Sequence, residues 1–238
     1  MVGEILLSHG FSVLSCRVML ASGLALIFDL DGVIVDSMPM HTHSWKLYLE
    51  RHGIDAPDLV EKMHGRRNDE IVATFWGNDL SVGENFRHGA AKEALWRDLM
   101  EPVLESYLVL GVRSFLDRYK ESPIGLATNA EPANAAFVLG RANLSSMFNV
   151  IVDGMQVAKP KPWPDVYCRG ADLLGVAPAN CIVFEDSPTG VQAAKAAGTR
   201  VVGIRTLGAL EGVDFSCDNF LDPALEAWLE KQTVRSSS

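Results

Sequence analysis

Cysteine is scarce in this chain of 238 residues, and its four cysteines form no recognisable binding pattern. Cys16, Cys168, Cys181 and Cys217 include no CxxC pair and have no histidine partners at metal-ligand spacing. Tetrahedral zinc sites and small disulfide frameworks both require such clustering. We therefore expect neither of them, and we interpret the cysteines as reduced thiols of a cytoplasmic protein.

Positive charge is also in deficit, because 21 Lys and Arg residues face 30 Asp and Glu residues, which gives a net charge of −9. Nucleic-acid binding depends largely on basic side chains that neutralise phosphates, so we expect no nucleic-acid partner. With 48% hydrophobic and 21% charged residues, the composition is that of a globular protein. It is compatible with an enzyme that acts on small anions, as a monomer or a weak homodimer.

Long apolar runs are missing as well. Residues 1–23 are rich in apolar side chains, but Glu4 stands where a signal peptide carries positive charge, and Arg17 interrupts the run. A membrane-spanning helix needs about 20 apolar residues, so we predict no membrane segment. We interpret residues 1–23 as a disordered N-terminal extension, with Met19 as an alternative start.

Short apolar runs bounded by turn residues predict five buried strands, at residues 24–28, 124–127, 150–152, 182–184 and 201–204. Helical patterns at 132–139, 165–174 and 188–197 lie between the last four runs. A helix between consecutive strands is typical of the crossover that joins parallel strands. The sequence therefore predicts an α/β protein with a doubly wound, Rossmann-like parallel sheet.

The first crossover is far longer than the others. It spans residues 29–123, whereas a crossover needs only about a dozen residues. Helical patterns at 39–52 and 84–100 fill much of it, and the second of them places Phe86, Ala90, Ala94 and Leu95 on one face. We predict an α-helical cap at 38–105, inserted into a core made of residues 24–37 and 106–238.

Acidic residues end two of the predicted strands. Asp29 and Asp31 follow the first strand, and Glu185 and Asp186 end the fourth. Open α/β sheets bind ligands at this edge, and carboxylates crowded there require a cation such as Mg²⁺. A solvated Asp-Gly turn is the alternative for the first pair alone.

A hydroxyl and a lysine accompany these acids. Thr128 follows the second strand, where its hydroxyl and nearby backbone N–H groups can bind an oxyanion. Lys161 lies between prolines just before a predicted helix and supplies a positive charge. Lys159, two residues earlier, competes for this role.

In this order, the four segments resemble the haloacid dehalogenase superfamily, specifically its branch of β-phosphoglucomutases and small phosphatases. The superfamily's first motif, DxDG followed by Val, Ile or Thr, is matched by residues 29–33, and its strand-end Ser or Thr by Thr128. Its lysine in a KPxPD context is matched by residues 161–165, and its strand-end acid pair by Glu185 and Asp186. The resemblance covers nearly the whole chain from residue 24 onward.

The resemblance implies a role for each matched residue. Asp29 would be the nucleophile that forms an aspartyl phosphate, and Asp31 the general acid and base. Mg²⁺ would be held by Asp29, Asp31, Asp186 and Glu185. The transferring phosphoryl oxygens would be bound by Thr128, Asn129 and Lys161.

Substrate choice in this superfamily lies largely in the cap, where five residues are candidates. His41 and Trp45 are four residues apart on a predicted helix and share a face, although a packed tryptophan beside a surface histidine is an equal alternative. Arg66 and Arg67, near His64, could bind a distal phosphate or carboxylate, with a solvated turn as the alternative.

The chain departs from the mutases of this branch at one place. This departure bears on whether the reaction is hydrolysis or transfer of a phosphoryl group between two positions of a sugar. Mutases of this branch supply Ser-Lys-Asn-type phosphate contacts just after the second motif, where this chain has Ala130, Glu131 and Pro132. A glutamate there repels a second phosphate, which favours hydrolysis. We predict a Mg²⁺-dependent phosphatase of a small phosphorylated metabolite, most plausibly a sugar phosphate.

The main alternative is a β-phosphoglucomutase-type mutase, and a receiver-like phosphoacceptor module is a remote one. A receiver has no large helical insert after its first acidic strand. A nucleotide-dependent dehydrogenase is disfavoured because no GxGxxG follows the first strand.

Overall fold

A computed structural model describes residues 20–63, 66–77 and 79–234 of the chain. Residues 1–19 of the predicted extension, including Met19, and the candidate His64 lie outside these ranges. Leu20 is described and buried, and its backbone N–H donates to the Ser122 hydroxyl at 3.4 Å.

A parallel sheet forms the centre of the fold, in the strand order β3-β2-β1-β4-β5-β6. Its strands are β1 (Ala25–Phe28), β2 (Ile124–Ala127), β3 (Val150–Val152), β4 (Cys181–Glu185), β5 (Arg200–Ile204) and β6 (Phe215–Cys217). The chain winds outward from β1 first in one direction and then in the other. The predicted doubly wound sheet is thereby confirmed, and a ligand crevice is expected where β1 separates β2 from β4.

The sixth strand was missed from the sequence. Phe215–Cys217 is only three residues long, pairs with β5 at the sheet edge, and is only partly buried. Such a short half-buried segment lacks the continuous apolar run by which the other strands were found.

The first four helices of the chain follow β1 and form a group of their own. They are α1 (Met38–Arg51), α2 (Leu59–Met63), α3 (Asn68–Trp76) and α4 (Val82–Met100). A proline in the first turn begins α1, and a capping box begins α4, where Ser81 and Glu84 bond each other's backbone N–H groups. These helices pack around a hydrophobic cluster of their own, which contains Trp45, Ile71 and Leu95.

The remaining helices pack against the sheet. They are α5 (Leu104–Tyr107), α6 (Val112–Tyr119), α7 (Pro132–Arg141), α8 (Asp165–Leu174), α9 (Pro188–Ala196) and α10 (Pro223–Leu229). Alternate residues of β1 enter different clusters, since Leu26 and Phe28 belong to one and Ala25 and Ile27 to the other. This alternation covers the sheet on both faces, as parallel sheets require.

The predicted apolar face of α4 is only partly buried, because Leu95 lies in the hydrophobic cluster but two other members of that face do not. Phe86 is 70% exposed and Ala94 is also exposed, whereas Lys92, Glu93 and Trp96 are buried. The helix turns two charged side chains inward because they find partners there, and helical periodicity alone carries no information about those partners. No helix within the described ranges has the length and apolar character needed to cross a membrane.

Candidate active site

Three neighbouring strands deliver polar side chains to one edge of the sheet. Asp29 follows β1, Thr128 follows β2 and Asp186 follows β4, and each of these side chains is buried. The parallel pairing of β1 with both neighbours brings the three strand ends together. Lys161 reaches the same place from the loop between β3 and α8.

Lys161 is the positive centre of this site. Its Nζ lies 2.8 Å from Asp29 Oδ1 and 2.7 Å from Glu185 Oε1. Burial acts to lower the pKa of Lys161, but the two carboxylates outweigh it and raise the pKa above its usual value. Lys159 instead places its Nζ over the Trp163 ring at 4.2 Å, so the structure favours Lys161 in the choice between the two lysines.

Glu185 is held in place by a dense set of donors. Its Oε1 also accepts a 2.5 Å hydrogen bond from the Tyr167 hydroxyl, and its Oε2 accepts from the backbone N–H groups of Asp186 and Ser187. Gly190 in α9 leaves the space that this carboxylate fills, because a Cβ at that position would overlap it. Glu185 therefore fixes Lys161 rigidly beside Asp29.

The three acids fit a divalent metal ion. One oxygen each of Asp29, Glu185 and Asp186 lies within 4.8 Å of the others. Burial first, and then the negative charges of Glu185 and Asp29, raise the pKa of Asp186 to about 9, although Lys161 acts in the opposite direction. Buried carboxylate oxygens with excess negative charge are the donor set that Mg²⁺ prefers.

The glycine of the DxDG segment is required by this packing. Gly32 has a positive φ of 69°, and a Cβ there would overlap the Asp186 carboxylate. Thr206, after β5, supports the same region: its hydroxyl donates to the Gly32 carbonyl at 2.8 Å and lies 3.4 Å from Asp186 Oδ2. Thr206 was not predicted from the sequence, since a threonine after a strand gives no distinct signal.

Thr128 and Asn129 shape the opposite side of the site. The Thr128 hydroxyl oxygen accepts from the Ala130 N–H at 3.1 Å, which leaves its hydrogen able to donate to a ligand. The Asn129 side-chain carbonyl accepts from the Lys161 backbone N–H at 3.1 Å. Asn129 thus joins the loop after β2 to the loop that carries Lys161.

Asp31 faces a buried polar chain contributed by the inserted helices. His41 Nε2, on α1, lies 3.8 Å from Asp31 Oδ1, and His41 Nδ1 lies 2.8 Å from Lys92 Nζ, on α4. Lys92 Nζ in turn donates to Glu93 Oε1 at 2.9 Å. Burial acts to raise the pKa of Asp31, but the contact with His41 outweighs it and leaves the pKa below its usual value.

Comparison with known proteins agrees with this geometry. The family model for haloacid dehalogenase-like hydrolases matches residues 24–198. This chain belongs to that family.

Several relatives of this chain are named for sugar phosphates. It is 31% identical over 225 residues to a β-phosphoglucomutase of Bacillus subtilis, covering 90% of this chain and 98% of the relative. It is 33% identical over 187 residues to a fructose-1-phosphate phosphatase of Escherichia coli, covering 76% and 96%. The crystal structure of a β-phosphoglucomutase from Clostridium difficile superposes with a TM-score of 0.74 at 28% identity, covering 87% of this chain and 96% of that one.

The other residues that the sequence suggested for substrate binding differ in their exposure to solvent. Trp45 is 1% exposed and lies inside the helical cluster, where its ring faces Lys92 Nζ at 5.2 Å. This differs from the expectation that Trp45 lines a substrate site, because its indole has no free surface. Arg66 donates to the Thr74 hydroxyl and Arg67 pairs with Asp69 at 3.3 Å, and both arginines remain exposed.

Glu131 stands at the start of α7 and is half-buried. Burial and then the neighbouring Glu93 raise its pKa above the usual value, while Arg97 and Lys92 act in the opposite direction. Its carboxylate therefore belongs to the polar surroundings of Lys92 and Glu93. Lys92 and Glu93 themselves were missed from the sequence, where charged residues on a helix are most often solvated.

Proposed function

We propose that this hydrolase is a Mg²⁺-dependent phosphatase that hydrolyses a small phosphorylated sugar through an aspartyl phosphate on Asp29. The observation that carries the proposal is the set of contacts around Asp29. Its carboxylate lies 2.8 Å from Lys161 Nζ, within the acidic cluster and at the same sheet edge as Thr128. An anionic nucleophile, a cation and an oxyanion-binding hydroxyl are the groups that phosphoryl transfer to a carboxylate requires.

In the first step, the Asp29 carboxylate attacks phosphorus in line with the bond to the leaving oxygen. That bond breaks, and Asp31 donates its proton to the leaving oxygen, so that the products are the free alcohol and phosphorylated Asp29. Thr128 and Lys161 bind the phosphoryl oxygens as they transfer. The phosphate that binds beside Asp31 adds negative charge, which raises the pKa of this carboxyl and favours the protonated form that donates.

In the second step, the roles of Asp31 reverse. Asp31 accepts a proton from a water molecule whose oxygen attacks phosphorus, and the bond between phosphorus and Asp29 breaks. Inorganic phosphate leaves and both aspartates return to their starting states. Mg²⁺, held by Asp29, Asp186, Glu185 and the Asp31 backbone carbonyl, would neutralise charge between the anionic nucleophile and the anionic phosphoryl group.

Hydrolysis is favoured over transfer to a second position by the charge at Glu131. A mutase must hold a bisphosphate by both ends, but here a half-buried carboxylate with Glu93 nearby stands just after the second motif. The Glu131 carboxylate repels a distal phosphate and can accept hydrogen bonds from the hydroxyls of a sugar. The sugar phosphatases among the relatives support the same substrate class.

We further propose that residues 38–105 form a cap over a core of residues 24–37 and 106–238. Closure of the inserted helices over the carboxyl edge would exclude bulk water during phosphoryl transfer. The separate hydrophobic cluster of α1 to α4 supports this division, because it lets these helices move as a unit.

The test is phosphate release from a panel of phosphomonoesters, including hexose phosphates, phosphoglycolate and β-glucose 1-phosphate, with Mg²⁺ or with EDTA. We expect Mg²⁺-dependent release that Asp29→Asn abolishes while the variant stays folded. Near-normal rates in Asp29→Asn would contradict the proposed nucleophile.

A coupled assay for glucose 6-phosphate runs in parallel. Its formation from β-glucose 1-phosphate without net phosphate release would make the protein a mutase. The B. subtilis relative gives this alternative its support. Glu131→Lys is the matched variant: if Glu131 excludes a second phosphate, this change should increase binding of a sugar bisphosphate and weaken binding of the monophosphate.

A further inference from the structure

Glu93 is a buried acid that the proposed mechanism does not use. It is 3% exposed, it lies in the middle of α4, and it neighbours the equally buried Lys92. Burying a charge is costly unless it is paired and hydrogen-bonded. A carboxylate in this position therefore needs specific partners that neutralise it.

Glu93 joins three parts of the molecule. Its Oε1 accepts from Lys92 Nζ at 2.9 Å and from the Asn68 side-chain amide of α3 at 2.6 Å. Its Oε2 accepts from the Asn134 amide of α7 at 2.7 Å. Asn134 cannot flip this amide freely, because its Oδ1 accepts from Arg97 at 2.6 Å. The contact with Asn134 links the inserted helices to the sheet-bearing part of the chain.

The hydrogen bonds beyond Lys92 have a fixed direction. A protonated lysine has no lone pair, so at 2.8 Å it donates to His41 Nδ1, which accepts. When Nδ1 accepts, the imidazole hydrogen is on Nε2, the atom that lies 3.8 Å from the Asp31 carboxylate. His41 also stacks on Trp96 with ring centroids 4.7 Å apart, which fixes the plane of the imidazole.

Glu93 keeps this direction by keeping Lys92 charged. Burial lowers the pKa of Lys92, and the attraction of Glu93 acts against that change. A neutral Lys92 could accept as well as donate, and His41 could then place its hydrogen on Nδ1 and present a bare Nε2 to Asp31.

We propose that Glu93 is a positioning residue that orients Asp31 through Lys92 and His41, and that its bond to Asn134 makes this orientation depend on the seating of the inserted helices against α7. The inference rests on the proposed function, because it takes Asp31 as the group that protonates the leaving oxygen. It adds a residue that touches neither substrate nor metal.

The test uses Glu93→Gln, which keeps the shape of the side chain and removes its charge. The substrates are substituted phenyl phosphates of similar size, whose leaving groups differ in acidity, together with the best sugar phosphate of the panel. Values of kcat/KM are compared because they report the step that expels the leaving group. We expect about a 10²-fold loss for the least acidic leaving group. The loss should shrink as the leaving group becomes more acidic, since a good leaving group needs no proton.

Asn134→Ala is the second variant, because it separates Glu93 from α7 while leaving the buried Lys92–Glu93 pair intact. As in Glu93→Gln, the loss of kcat/KM should be largest for the least acidic leaving group. The control is Glu84→Gln, which damages the capping box at the start of the same helix. A purely structural defect of this kind lowers every rate by one factor and leaves the dependence on leaving-group acidity unchanged.

Equal losses across the series in both Glu93→Gln and Asn134→Ala, or no loss in either, would overturn the inference. A different result would contradict the proposed function. If the unmodified protein releases phosphate from no ester of either set, the phosphatase assignment itself is wrong.

Discussion

Asp186→Asn should stabilise the protein when no divalent cation is present, even though it removes a proposed metal ligand. The reason is that burial, and after it the negative charges of Glu185 and Asp29, oppose ionisation of Asp186. Burial and the two neighbouring carboxylates raise the pKa of Asp186 from 3.8 to about 9 in the folded protein. A group with a raised pKa stabilises the fold fully below its unfolded pKa, and that stability is lost as the pH rises toward the folded pKa.

The magnitude follows from this interval. Between the unfolded pKa of 3.8 and pH 7 lie about three pH units, each worth about 1.4 kcal/mol. Asp186 therefore lowers the free energy of unfolding of the wild type by about 4 kcal/mol at pH 7. At pH 5.5 the free energy of unfolding is lowered by only about 2 kcal/mol. An asparagine does not titrate, so the variant escapes this loss. For a chain of this size the gain at pH 7 corresponds to a rise in Tm of about 8–16 °C.

The assay is thermal unfolding of both proteins in EDTA at pH 5.5, 7 and 8, and again with Mg²⁺. The advantage of Asp186→Asn in EDTA should grow with pH, and Mg²⁺ should stabilise the wild type more than the variant. Asp153→Asn is the matched control, since Asp153 is buried but accepts hydrogen bonds from Met155 and Gln156 outside the acidic cluster. A variant at Asp186 that is less stable than the wild type in EDTA at pH 7, or an advantage that does not grow with pH, would refute the reasoning.

Three further substitutions test the packing around the site. Gly190→Ala should lower phosphatase activity at least about tenfold, because its Cβ would displace Glu185 from Lys161; unchanged phosphate release would contradict this. Phe184→Ala should cost about 3–5 kcal/mol in the free energy of unfolding measured with denaturant, since this buried ring stacks on Phe28 at a centroid distance of 4.5 Å, and a loss below about 1 kcal/mol would be inconsistent with that packing. Trp45→Phe should lower Tm with little change in KM, and a raised KM at constant Tm would instead indicate a substrate contact.

The strand-end motifs were accessible from the sequence because their signal is local. An apolar run followed at once by acids places Asp29 and Asp186 at the carboxyl ends of buried strands, and parallel pairing then brings them together. Lys161 was preferred to Lys159 from the register of the KPxPD motif, and its contacts with Asp29 and Glu185 agree with that choice. The short edge strand β6 could not be found in this way, since its burial comes from neighbours distant in sequence.

By itself, the sequence determined the doubly wound sheet, the helical insertion after β1 and the residues that meet at the carboxyl edge. Only the tertiary structure decided which face of α4 is buried, and with it the chain that runs from Glu93 through Lys92 and His41 to Asp31. The periodicity of α4 favoured its apolar residues, because a sequence pattern counts a charged side chain as solvated. Whether a charge can be buried depends on partners from other elements, such as Asn134 of α7, and those partners are known only once the chain has folded.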